Sequence, residues 1–178
     1  MDIKGSKTEK NLQKAFAGES MARNKYNYYA SKARKDGFEQ IAAIFDETAN
    51  NEKEHAKLWH TALYGTVADT YTNLLEAAAG EHGEWADMYR KFAEVAKSEG
   101  FEDLAKQIQG VGNIEKKHEE RFLKLADNIK NNKVFDKDES ATWQCINCGH
   151  VMSGKSAPKQ CPVCHHPRAF FQIKEENF

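Results

Sequence analysis

The chain has 178 residues, 30% of them Asp, Glu, Lys or Arg, and a formal net charge of −1 at pH 7. That length fits one medium domain, or one domain carrying a small module. The near-neutral balance excludes the strongly basic footprint of a nucleic-acid or acidic-membrane binder.

The opening stretch, MDIKGSKTEK, is polar and lacks the apolar centre of a signal peptide. No run approaches the roughly 18 consecutive apolar residues of a membrane span. The expected location is the cytoplasm. Up to about residue 130 the chain is rich in Ala, Glu, Lys and Leu and contains no proline; Pro158, Pro162 and Pro167 all lie in the tail. Such a composition suits long helices.

Ser6 followed by Glu9 is a capping-box signature that starts a first helix, roughly 7–35. Gly37 separates it from a second, roughly 38–64. After Gly65, Asp69, Thr70 and Thr72 offer caps for a third, roughly 71–98. Ser98 and Gly100 mark the break before a fourth, roughly 101–131. Residues 132–142 read as a linker. The last stretch, 143–178, is turn-rich and too small for its own hydrophobic core, so it needs a metal. The predicted fold class is therefore an all-α four-helix bundle over 1–131 followed by a small metal-bound β/turn domain.

A bundle helix should bury a stripe that repeats every three or four residues. The first helix supplies Leu12, Ala15, Glu19, Ala22, Tyr26, Tyr29 and Ala33. The second supplies Ile41, Phe45, Thr48, Glu52, His55, Trp59 and Ala62. The third supplies Leu74, Ala77, Glu81, Glu84, Met88, Phe92 and Val95. The fourth supplies Val111, Glu115, His118, Phe122 and Leu125. Each stripe is apolar at its ends and ionisable in the middle. Most carboxylates in so charged a chain are solvated, and Lys53, Glu54, Lys116, Lys117, Glu119 and Glu120 fall off the stripes as expected of a solvent face. Buried carboxylates without positive charge cost several kcal/mol each or become neutral. Five at one level, with two histidines, call for metal ions.

The spacing agrees. Glu52 and His55, and again Glu115 and His118, stand three apart and share a helical face one turn apart. Two Glu-x-x-His helices with single inward carboxylates from the other two is the ligand plan of ferritin-like di-iron and di-manganese bundles. Mixed oxygen and nitrogen donors suit iron or manganese. The usual plan needs one carboxylate from the third helix; here Glu81 and Glu84 both point inward, which provides a spare.

All four cysteines lie in the tail, as Cys145-Ile-Asn-Cys148 and Cys161-Pro-Val-Cys164. Paired thiolates from two tight turns make a tetrahedral four-sulfur site, for zinc or for an iron–sulfur type centre. Trp143, Phe170 and Phe171 either shield such a site or form a mini-core. His150, His165 and His166 are expected to face solvent.

These features together resemble the rubrerythrin family across essentially the whole chain. GESMARNKY (18–26), NEKEHAK (51–57), GEHGEWADMY (80–89) and EKKHEERF (115–122) resemble its ligand helices; WQCINCGH and CPVCHHP resemble its C-terminal rubredoxin-like module. The resemblance implies a ferritin-like bundle with two Fe ions and one further Fe held by Cys145, Cys148, Cys161 and Cys164. It implies Glu52 and Glu115 as bridges, Glu19 as a terminal ligand of one iron, and Glu81 and His118 as terminal ligands of the other. The Glu19 iron would exchange Glu84, when oxidised, for His55, when reduced. Tyr26 and Tyr89 match tyrosines beside the family's site, and with Glu84 and His55 they are the candidate catalytic residues. Arg90 after Tyr89, and Gly83 between two ligands, depart from the family pattern and put local geometry in question.

The implied activity is a non-haem di-iron peroxidase that reduces hydrogen peroxide to water in oxidative-stress defence. No Gly-rich dinucleotide fingerprint appears, so electrons would come from an external rubredoxin or NAD(P)H-linked reductase. A head-to-tail homodimer would bring one subunit's four-cysteine site to the other's iron pair. The competing expectations are a ferroxidase or iron-handling protein, an O2-reducing di-iron oxidase, and a non-enzymatic zinc-ribbon protein.

Overall fold

The structure, a computed structural model, describes residues 3–176. Its elements in chain order are α1 (Lys7–Lys35), α2 (Glu39–Tyr64), α3 (Thr70–Gly83), α4 (Tyr89–Ser98), α5 (Glu102–Lys130), β1 (Asp136–Cys145), β2 (Val151–Ser156) and β3 (Phe171–Ile173). They divide into two compact units, one ending at Val67 and one beginning at Ala68. Among the described residues, no helix is long and apolar enough to cross a membrane.

Local chemistry places the helix ends. Ser6 caps α1 by accepting from the Glu9 amide at 3.0 Å, and the Glu9 carboxylate accepts from the Gly5 amide at 2.6 Å. Asp69 caps α3 through Tyr71 and Thr72 at 3.0 and 3.1 Å. Gly37, Gly65 and Gly100 follow α1, α2 and α4 with φ of 85° to 87°, the left-handed conformation that ends a helix most readily in glycine.

The first unit is the α1–α2 hairpin. Ala30, Ala33 and Ala42 form its buried seam with Phe45 against them. The seam is latched on its outer side, where Asp46 pairs with Arg34 and accepts from Asn27. In the second unit α5 packs against both α3 and α4. A Cβ built on Gly112 would come within 3.1 Å of the Tyr89 Cβ, so glycine there lets the α5 backbone approach Tyr89 closely.

Two expectations need correcting. The third helix is not continuous: Glu84–Met88 form a π-helical turn between α3 and α4. Gly83 stands immediately before it, at a residue with little intrinsic hold on the α-helix. The predicted burial of the stripes is also only partly met. Every buried apolar side chain of the helices is an alanine, while Tyr29, Ile41, Phe92, Val95 and Leu125 are each at least 44% exposed. Within either unit the helices share one narrow seam, and a seam admits small residues while bulkier neighbours flank it.

The tail is a three-stranded antiparallel sheet in the order β2-β1-β3. β1 begins at Asp136, so most of the expected linker is strand. Its start is held by Asp136 opposite Ser156 and by the Ala157 amide donating to Phe135 O at 2.8 Å. Trp143, Cys145, Ala157, Cys161 and Phe171 form the module's core, and the Trp143 indole donates to Gly154 O at 2.9 Å. The aromatics are thus a mini-core wrapped onto two of the cysteines.

Gly112→Val is expected to destabilise the second unit by about 1–3 kcal/mol, the usual cost of forcing atoms into a packed contact. Chemical denaturation followed by circular dichroism measures it. An unchanged midpoint would show that the close approach at Tyr89 is not needed.

Candidate metal centres

On α2, Glu52 Oε2 lies 2.9 Å from His55 Nδ1, and on α5 Glu115 Oε2 lies 2.6 Å from His118 Nδ1. Both pairs follow from the three-residue spacing on one helical face. The facing helix of each hairpin adds one carboxylate. Glu19 Oε2 is 3.9 Å from His55 Nδ1, and Glu81 Oε1 is 3.7 Å from His118 Nδ1. In each triad, one donor atom per residue falls within 4.8 Å of the others. The same construction therefore occurs twice, Glu19/Glu52/His55 in the first unit and Glu81/Glu115/His118 in the second.

The electrostatics of both triads favour a cation. Glu19 is held above the ordinary carboxyl pKa, first by sharing a hydrogen bond with Glu52, then by burial and the Glu52 charge, with His55 opposing. Glu81 is raised by burial and by the Glu115 charge, with His118 opposing. Carboxylates this close repel, and a bound cation relieves that repulsion.

The remaining expected residues are placed differently. Glu84 opens the π-helical turn and stands outside both triads. Its charge nonetheless raises the pKa of Tyr89, after burial as the main cause, and contributes to that of Glu81. Tyr26 packs against Tyr29 and Phe45, with ring centroids 6.3 and 6.1 Å apart. No hydrogen bond joins it to a triad carboxylate among the described residues.

The four cysteine sulfurs also lie within 4.8 Å of one another. Cys145–Cys164 and Cys148–Cys161 are each separated by 3.7 Å. That is far beyond the ~2.05 Å of a disulfide. It matches the edge, about 3.75 Å, of a tetrahedron with metal–sulfur bonds near 2.3 Å. Two equivalent turns build it. The Cys145 and Cys161 amides donate to His150 O and His166 O, while Gly149 and His165 occupy the left-handed region with φ of 78° and 59°. The thiols do not titrate alike. The His166 amide, burial notwithstanding, pulls Cys164 down to about 5. Cys148 receives a similar amide bond near His150, but the neighbouring thiols and burial outweigh it and push it up to about 12.

The expectation of solvent exposure fails at Glu119, His150 and His166. The Glu119 side chain is only 16% exposed, accepting from the Trp85 indole and facing His82 Nδ1 at 3.1 Å. Lys116 caps this arrangement from 5.1 Å over the Trp85 ring. The available signal was His82 and Trp85, three apart on one face of a helix beside the ligand helix. In the tail, His150 and His166 are half-buried, and the His166 ring meets Phe170 edge-on with centroids 4.5 Å apart.

The Rubrerythrin family model matches residues 10–126, and the family's rubredoxin-like domain model matches residues 143–172. The chain belongs to the rubrerythrin family. Rubrerythrin-1 of Clostridium acetobutylicum is 46% identical over 99% of this chain and 98% of its own length. Rubrerythrin of Nitratidesulfovibrio vulgaris is 47% identical over 96% of each chain. Among solved structures, fully reduced, all-ferrous nigerythrin is 30% identical, covering 97% of this chain and 91% of that one, with a TM-score of 0.36. Membership brings the ferritin-like class, an oxidoreductase family linked to oxidative stress, and a cofactor set of a di-iron centre and a four-cysteine iron. The donors found here fit both: oxygen-rich triads with one imidazole each, and a tetrahedral sulfur cage.

Ferrous ion added to protein whose four-cysteine site is already filled is expected to release more protons as the pH is lowered, because Glu19 and Glu81, held above the ordinary carboxyl value, must be deprotonated to bind metal. Calorimetric heats should then vary with the ionisation enthalpy of the buffer. Heats that do not vary with buffer would contradict the raised carboxyls of the triads.

Proposed function

We propose that this chain is a cytoplasmic non-haem di-iron peroxidase that reduces hydrogen peroxide to water. The observation that carries the proposal is the pairing, on one chain, of two Glu/Glu/His triads with a four-cysteine cage. A metal-handling protein has use for the triads alone. A four-sulfur site on the same chain would provide a one-electron relay, which a reductase of peroxide needs and a storage protein does not.

In this reading Glu52 and Glu115 would hold both irons, Glu19 one of them, and Glu81 and His118 the other. Glu84 and His55 would be alternative donors to the iron held by Glu19. The π-helical turn at Glu84–Met88 supports that role for Glu84, since a single π-turn re-aims side chains at functional sites. When bound, the iron pair supplies two electrons and a positively charged template for breaking the O–O bond.

The protein's own groups supply the protons. Two protons and two electrons convert one hydrogen peroxide to two waters. Glu19 and Glu81, each raised above an ordinary carboxyl, hold a proton to higher pH than solvated carboxylates do. Tyr89 is raised as well, by burial and by Glu84, Glu115 and Glu81. It therefore stays protonated and presents a donor O–H. Tyr26, in its aromatic cluster, serves as packing for the first hairpin.

An external rubredoxin or NAD(P)H-linked reductase would supply the electrons, and Cys145, Cys148, Cys161 and Cys164 would hold the iron that relays them. From His118 to the end of α5 at Lys130 the helix rises about 18 Å. The chain's own module is carried away from its triad. A head-to-tail homodimer, placing one subunit's sulfur site by the other's iron pair, shortens the route.

Reduced protein mixed anaerobically with stoichiometric peroxide is expected to reoxidise at both centres far faster than with an equal concentration of O2, read by the visible absorbance of each. Equal or faster reoxidation by O2 would favour the oxidase. Mineral formation without peroxide turnover would favour iron handling.

A further inference from the structure

Three residues beside the second triad form a network that metal binding itself does not use. Glu119 places one carboxylate oxygen 3.1 Å from His82 Nδ1 and accepts the Trp85 indole N–H with the other. Each member stands one residue after a donor: His82 after Glu81, Trp85 after Glu84 and Glu119 after His118. The network therefore repeats the approach of Glu81 to His118 one residue further on, and it adds the turn at Glu84–Met88 to that approach. The Trp85 ring is fixed on two further sides. His82 meets it edge-on with centroids 5.2 Å apart, and Lys116 Nζ lies 5.1 Å from its centroid.

The turn needs such a hold. The Tyr89 amide donates to Glu84 O, five residues back, where an α-helix would use four. One residue more or less rotates a helix by about 100°, so relaxation to α geometry would re-aim Glu84 relative to Tyr89. Asp87, the other ionised side chain of the turn, pairs only along the helix, with Lys91 and Arg90. Among the described residues, the Trp85 indole gives the turn its one side-chain hydrogen bond to another helix. The acceptor is a carboxylate only 16% exposed. Hydrogen bonds to an ionised group shielded from water are among the stronger ones.

We propose that Glu119 is a positioning residue: through the Trp85 indole it clamps the π-turn against α5 and so holds Glu84 in place as a donor to the iron pair. The proposal rests on the di-iron reading above and deepens it. His82 and Lys116 orient the ring, and Glu119 anchors it. With the clamp cut, the six triad donors still collect iron, but Glu84 loses its fixed place. A carboxylate donor stabilises ferric ion more than ferrous ion, so its loss raises the potential of the pair.

Three full-length variants test this. Trp85→Phe keeps an aromatic ring beside His82 and Lys116 and removes the donor N–H. Glu119→Ala removes both acceptor oxygens. Glu119→Gln keeps an oxygen for the indole and an amide for His82 Nδ1. The first readout needs no iron pair: amide hydrogen exchange on protein whose four-cysteine site alone is filled. Trp85→Phe and Glu119→Ala are expected to exchange about tenfold faster over residues 84–89, with Glu119→Gln close to wild type. The second readout is the midpoint potential of the iron pair, titrated against the four-cysteine iron of the same molecule. A tenfold loss of preference for ferric ion is about 59 mV per electron. Both cut variants should move the pair upward by about that amount, and Glu119→Gln should not.

Unchanged exchange over 84–89 in both cut variants overturns the clamp. So does Glu119→Gln behaving like Glu119→Ala, or faster exchange spread evenly through 70–130. Faster exchange at the turn with an unmoved potential overturns the link to Glu84. Trp85→Phe, the milder change, decides the matter if Glu119→Ala does not fold. Wild-type protein that loads no iron pair overturns the di-iron reading instead, while the exchange result still decides the clamp.

Discussion

Carboxylates held together on facing helices are the constraint on which the rest of this protein depends. Glu52 beside Glu19, through a shared hydrogen bond, and Glu115 beside Glu81, after burial, hold Glu19 and Glu81 above the ordinary carboxyl value. A helix tolerates such a pair at mid-length only where a cation is expected. The imidazoles of His55 and His118, each three residues beyond a carboxylate, complete two donor sets of the same design. The duplication matters more than either triad alone. Exposed acidic groups gather often by chance; two identical Glu/Glu/His groups on matching helix pairs do not.

Around the triads the helices bury little besides alanine. Small residues bring the backbones close, so that short side chains from neighbouring helices meet at coordination distance. Gly112 extends the same device to α5 against Tyr89. The large apolar residues lie outside the seams and remain available for further packing. The cysteine module is built on a separate principle. Its core is a few aromatics folded onto two buried cysteines, and the sulfur cage ties the two turns together. Metal is part of the fold there, whereas in the hairpins it opposes a repulsion that the fold creates.

Much of this was legible in the residues themselves. Caps at Ser6 and Asp69 and glycines at 37, 65 and 100 set the helix ends, because capping is a local interaction. The triads were legible because Glu-x-x-His has only one geometry on a helix. The π-turn at Glu84–Met88 was not, since nothing in the apolar rhythm marks one extra residue; Gly83 hinted at weakness there without giving its form. β1 was missed because DKDES lacks alternation, and its pairing with β2 is decided by the hairpin around the cysteines. Glu119 was assigned to solvent by helical phase alone. Its contacts with Trp85 and His82 come from another helix. Exposure of the large stripe residues was likewise invisible, because helical phase does not show how narrow a seam each hairpin closes.

The central claim is that the two triads together hold a pair of irons while the cysteines hold a third. X-ray absorption at the iron edge, on protein loaded anaerobically with ferrous ion, tests it most directly. The account predicts an iron–iron vector of about 3.5–4 Å within a shell of oxygen and nitrogen, plus a minority sulfur shell. Iron in sulfur coordination only, with no iron–iron vector, would contradict it.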